Sequence, residues 1–96
     1  MALHIFARIE PRPGKKDDLR NVIADAIAST RAEPGCVRVH LYESSRGPCC
    51  FFIYAEWTDA AAFEAHAQAP HILRLAAAVE ELATHSLQAA RTHQIA

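Results

Sequence analysis

Cys36-Val37-Arg38-Val39-His40-Leu41-Tyr42-Glu43 and Cys49-Cys50-Phe51-Phe52-Ile53-Tyr54-Ala55-Glu56-Trp57, joined by Ser44-Ser45-Arg46-Gly47-Pro48, read as two strands of one hairpin. The first arm alternates Val37, Val39 and Leu41 against Arg38, His40 and Tyr42, the period of a strand with two different faces. The second is the most strand-like segment in the chain, and the connector carries the Gly and Pro of a turn. Continuing the alternation puts Phe51 and Ile53 on one face and Cys50, Phe52 and Tyr54 on the other.

Working outward, Leu3 to Glu10 alternates in the same way, with Leu3, Ile5, Ala7 and Ile9 against His4, Phe6, Arg8 and Glu10. Pro11-Arg12-Pro13-Gly14 ends that strand, since proline has no N–H for a ladder. From Lys15 the period lengthens: Leu19, Val22, Ile23, Ala26, Ile27 and Thr30 make one helical stripe. Glu33-Pro34-Gly35 stops the helix, because proline disfavours helical geometry in the residue before it. Beyond the hairpin, Thr58-Asp59 supplies an N-cap to an alanine-rich helix on which Phe63, His66 and Ala67 share a face. Pro70 starts a further helix with Ile72, Leu75, Ala76, Val79 and Leu82 as its stripe. Thr84 to Thr92 is a weaker alternation and predicts a last strand with Leu87 and Ala89 inward.

The order β-α-β-β-α-β, with right-handed crossovers around a central hairpin, predicts an α+β, ferredoxin-like domain over residues 1–96. Its four-stranded antiparallel sheet carries both helices on one face. The other face would then present His4, Phe6, Arg8, Arg38, His40, Tyr42, Cys50, Phe52 and Tyr54. That aromatic surface exceeds what a monomer usually leaves in water, so a homodimer through the sheet face is expected. RNA-recognition domains of this topology want an aromatic-rich motif after Arg-Gly at the third strand. Arg46-Gly47 is instead followed by Pro48-Cys49-Cys50.

Composition narrows the function classes. A formal net charge of -1 gives no pull toward nucleic acid or an anionic membrane. No apolar run approaches the ~20 residues of a bilayer span, the N-terminus has no signal-peptide pattern, and three cysteines fit a reducing compartment, so a cytoplasmic protein is expected. Six histidines raise the question of a metal. His66 and His71 miss the i, i+4 spacing of a helical zinc pair and are separated by Pro70. There is no Cys-x-x-Cys or His-x-His either, so no metal is expected. No phosphate loop or dinucleotide fingerprint occurs.

The segment Glu56-Trp57-Thr58-Asp59-Ala60-Ala61-Ala62-Phe63-Glu64-Ala65-His66-Ala67-Gln68-Ala69-Pro70-His71, with Pro13-Gly14-Lys15 and Glu33-Pro34-Gly35-Cys36 upstream, resembles the antibiotic biosynthesis monooxygenase family. These are small dimeric α+β barrels of the topology derived above. The resemblance, nearest to the quinol monooxygenase-like branch, implies a cofactor-independent enzyme oxidising a quinol or related phenol with O2. It places the pocket between sheet and helices. His66 and His71 are then the candidate proton acceptors, because a neutral imidazole near pH 7 can turn a phenol into an oxidisable phenolate. Trp57 and Phe63 would shape the pocket, with Ile5, Ala7, Phe51 and His40 completing its lining. The haem-degrading branch uses a strand Asn, a helix Trp and an iron-ligating His, where this chain has Ala7, His66 and Ala76. The polyketide branch also uses a strand Asn, and the chain's Asn21 lies in the first helix. The alternatives are an isomerase of a small phosphorylated ketose, needing Arg74 or Arg8 in the pocket, and a non-catalytic dimer with a closed interior.

Overall fold

A computed structural model describes residues 1–96 and gives β1 (Leu3–Ile9), α1 (Lys16–Thr30), β2 (Cys36–Glu43), β3 (Phe51–Trp57), α2 (Ala60–Ala67), α3 (Pro70–Leu82) and β4 (Ala90–Thr92). The strands form one antiparallel sheet in the order β2-β3-β1-β4. This is the expected α+β, ferredoxin-like architecture. The second crossover holds two helices, divided where Pro70 opens α3.

Alternation along β1 decides the layers. Ile5, Ala7 and Ile9 are buried under the helices while Phe6 and Arg8 are exposed. α1 seats Leu19, Ile23, Ala26, Ile27 and Thr30 of its predicted stripe in the same core, with Val22 only partly buried against it. Trp57, Phe51, Ile9, Leu19, Ile23 and Val79 are its largest fully buried side chains. Asp59 caps α2 as its residue type predicts, its Oδ1 accepting from the Ala62 N–H at 2.9 Å.

Gly35 fixes the corner on which the site depends. Its φ of +85° suits glycine, and an added Cβ would meet Ala62 Cβ of α2 at 2.5 Å. The Thr58 N–H donates to the Gly35 carbonyl at 2.9 Å, clamping the α1–β2 turn against the start of α2.

Three expectations are corrected. Val37 is 46% exposed rather than inward, because a β-bulge leaves it unpaired between Cys36, opposite Trp57, and Arg38, opposite Glu56. Cys50 is buried rather than outward. It precedes β3 in the connector, where its N–H bonds Ser44 Oγ and its carbonyl accepts the Ser44 N–H. The last strand covers only Ala90–Thr92, paired to Phe6, Ile5 and His4. Upstream, the Thr84 N–H bonds the Glu10 carbonyl and His85 Nε2 accepts from the Glu10 N–H. These ties draw the chain away from a continuous ladder along β1.

Candidate functional site

A cavity of about 210 Å³ lies between the sheet and the helices. Its floor is strand residues of the inner face, Ile5, Ala7, Val39, Ile53, Ala55 and Trp57. Its walls come from Ala26, Ile27 and Thr30 of α1, Phe63, His66 and Ala67 of α2, Ile72 and Leu75 of α3, and Leu87 and Ala89 of the closing segment. Small residues at Ala7, Ala26, Ala55, Ala67 and Ala89 leave the space that larger side chains would fill. Thr30 and His66 are the polar side chains in this lining. The Thr30 hydroxyl donates to the Ala26 carbonyl of its own helix at 2.8 Å, which leaves His66 as the titratable group.

His66 is held on both sides. Its ring lies 4.6 Å from that of Trp57 and 5.7 Å from that of Phe63, centroid to centroid. Its Nδ1 is 2.7 Å from Glu33 Oε2. A carboxylate can only accept, so the proton of this bond sits on Nδ1 and the Nε2 lone pair is free. Trp57 is buried and its Nε1–H finds no acceptor in the protein. A buried donor left unpaired costs about 1–3 kcal/mol.

His71 approaches from the other side, its Nε2 2.9 Å from the same Glu33 oxygen. It does not line the cavity. With Val22, Asp25, Ser29 and Arg74 it borders a separate groove between α1 and α3. The two histidines lie on different helices, as their spacing and Pro70 require, yet the α2–α3 corner brings their rings within 6.1 Å. Nearby, burial first and then the Glu33 carboxylate raise the Cys36 thiol above its ordinary value of 9.0.

The antibiotic biosynthesis monooxygenase family model matches residues 2–78, and the chain belongs to that family. The protein named "Putative monooxygenase Rv0793" of Mycobacterium tuberculosis is 36% identical over 80 residues, covering 83% of this chain and 78% of its own length. The solved structure of Rv0793 superposes with a TM-score of 0.91 at 30% identity, covering 100% of this chain and 97% of that one. PA3566 of Pseudomonas aeruginosa gives 0.89 at 27% identity, covering 99% and 95%. SnoaB of Streptomyces nogalater, described as a cofactor-independent oxygenase, gives 0.85 at 22% identity over 99% and 94%, a likeness of fold.

Of the expected site residues, Ile5, Ala7, Trp57, Phe63 and His66 meet at the cavity. Phe51, His71 and His40 do not line it. Phe51 is buried at the far end of β3, opposite Ile9 and Glu43. His40 is exposed on the outer face, opposite Tyr54 and edge-on to Tyr42, because strand alternation turns it away. The residue missed from sequence is Glu33. It reads as the polar lead-in to a Pro-Gly turn, and its partners stand 33 and 38 residues further on.

Proposed function

We propose that the protein is a monooxygenase acting on a small quinol or related phenol, with His66 as the proton acceptor. The observation that carries this reading is the placement of His66, between the Glu33 carboxylate and an apolar cavity beside Trp57. Family membership and the name of the mycobacterial relative support it. Glu33 orients the imidazole so that Nε2 takes the phenolic proton, and it stabilises the imidazolium that results. His71 holds Glu33 from behind.

The phenolate so formed supplies its own electrons. One passes to O2, the radical pair joins to give a hydroperoxide on the ring, and O–O cleavage releases water. The proton taken by His66 returns to the departing oxygen, and the second proton of the water comes from the ring carbon that carried the hydroperoxide as its C–H bond breaks to form the new carbonyl. A quinol and O2 thus give a hydroxyquinone and one water. Size points the same way: an apolar cavity of about 150 Å³ holds benzene, so 210 Å³ suits one or two rings rather than a large polycycle.

The isomerase reading needs a cation for the phosphate, but Arg8 borders the outer face and Arg74 the α1–α3 groove. The closed-interior reading is disfavoured by the cavity itself. Oxygen uptake with a menadiol-type naphthoquinol tests the proposal. Catalysed uptake above the autoxidation rate is expected, falling about 100-fold or more in His66→Gln. Equal uptake by the two proteins would remove His66 from the chemistry.

Dimerisation through the outer sheet face belongs to the same proposal. Phe6, Tyr42 and Phe52 there are 51%, 53% and 41% exposed. Covering what they expose, about 300 Å² per chain at roughly 25 cal/mol/Å², contributes about 15 kcal/mol over two chains. That is comparable with the ~4–15 kcal/mol cost of association, before any other contact is counted.

A further inference from the structure

We propose that Glu33, His66 and His71 form a binding site for a divalent transition-metal ion of the zinc class, and that occupancy switches off the base assigned to His66. The second half rests on the function proposed above; the first does not. One ligand atom from each residue lies within 4.8 Å of the other two. Two imidazole nitrogens and one carboxylate are a donor set that Zn2+ takes in open, three-ligand sites with water in the fourth position.

The geometry needs little adjustment. In a tetrahedral site with bonds of about 2.0–2.1 Å, neighbouring ligand atoms stand about 3.3 Å apart. Here Glu33 Oε2 is 2.7 Å from His66 Nδ1 and 2.9 Å from His71 Nε2, so these two edges open by about half an ångström, while the two imidazole nitrogens already lie within 4.8 Å of each other. The side chains are 13–18% exposed, partly desolvated yet reachable by an ion. The ligands come from three elements already fixed to one another. Glu33 sits in the turn clamped by Gly35 and Thr58, and His66 and His71 flank the short α2–α3 corner closed by the Ala69 N–H to the His66 carbonyl. Little conformational freedom is left to lose on binding.

The consequence for His66 follows from imidazole chemistry. A metal bound at Nδ1 takes that lone pair, so the proton of the neutral ring moves to Nε2, the nitrogen left for the cavity. His66 then presents a donor where the reaction needs an acceptor. No net proton is released when both rings begin neutral; each ring proton shifts to its other nitrogen.

Calorimetry of the purified full chain with Zn2+, and visible absorption with Co2+ under reducing conditions, tests the site. The expected result is one ion per chain with weak Co2+ d–d bands of nitrogen–oxygen ligation. Binding should weaken at least tenfold in each of Glu33→Gln, His66→Gln and His71→Gln, with circular dichroism confirming that the variants fold. Absence of binding to the wild-type chain, binding unchanged in all three variants, or an intense thiolate-to-cobalt band from the cysteines would overturn it. Should a variant fail to fold, 15N spectra of the wild-type histidines decide: Zn2+ must move His66 and His71 ahead of His4, His40, His85 and His93. Quinol oxidation, where present, should fall in proportion to Zn2+ occupancy and return with a chelator. Binding without quinol oxidation would sink the proposed function and leave the metal site standing. Binding with undiminished oxidation would overturn the switch.

Discussion

The two faces of the sheet are made by the same strands and offer opposite environments. β1 sends Ile5 and Ala7 into an apolar cavity, and His4, Phe6 and Arg8 onto an open surface with a concavity of about 810 Å³. On the outer face two polar pairs form: His4 Nδ1 meets the Tyr54 hydroxyl at 2.7 Å, and Arg38 pairs with Glu56. On the inner side His66 keeps one nitrogen uncommitted and Trp57 an unpaired N–H. The larger hollow lies on the outer face, but unfinished hydrogen bonding against apolar walls is what supports the inner one as the site of the proposed chemistry. The regions are not sealed from each other. Ala7, Ile53 and Ala89 border both, at the edge where β4 leaves β1 unpaired beyond Phe6.

The largest effect should come from separating the two faces. The double variant Phe6→Asp, Phe52→Asp places charges on the proposed seam. It should raise the dimer dissociation constant about 100-fold or more by sedimentation, since like charges in a buried seam are heavily penalised. Quenching of Trp57, the one tryptophan of the chain, by menadione should stay within about threefold. Loss of quenching alongside dissociation would mean that the cavity needs the partner.

Gly35→Ala attacks the helix side alone. With φ at +85° and a 2.5 Å approach to Ala62, it should cost about 2 kcal/mol and lower Tm by about 8–16 °C, leaving the dimer constant unchanged. Filling the cavity is gentler. Ala55→Leu, on a residue that is 4% exposed in the cavity floor, should weaken menadione binding about tenfold and leave association untouched.

The smallest effect is a control belonging to neither face. Glu43 at the end of β2 bonds Lys16 Nζ and Arg20 Nη2 of α1, and these hydrogen bonds hold its carboxyl below the ordinary value of 4.5. Its contribution is present above that value and fades as pH falls through the lower folded one. Wild type should therefore exceed Glu43→Gln slightly in Tm near neutrality, less so in high salt. The difference should vanish in acid.

Much of this contrast is legible in the sequence because alternation is a local property. Residues two apart in Leu3–Ile9 and Phe51–Trp57 share a face whatever the rest of the chain does. Pro70 likewise announces its helix by its own backbone chemistry. The failures are places where a distant partner decides. Val37 leaves its expected face because of a bulge against Trp57 and Glu56. Residues 84–89 read as strand, but the Thr84 N–H and the His85 ring are spent on the backbone of Glu10. Glu33 carries no local mark of its meeting with His66 and His71, which depends on Gly35 fitting against Ala62. Five of the eight expected site residues lie at the cavity; His71 is two hydrogen bonds from the lining residue His66, through Glu33, and His40 and Phe51 fail for their face and their distance along β3.

The most direct test follows the imidazole nitrogens of 15N-histidine-labelled protein while menadione, an oxidised quinol analogue with no phenolic proton to give up, is added. The spectrum should show His66 protonated at Nδ1 before addition, then a shift of its Nε2 resonance with His4 and His40 unmoved. A response at His4 and His40 with His66 unchanged would place the ligand on the outer face and contradict the account.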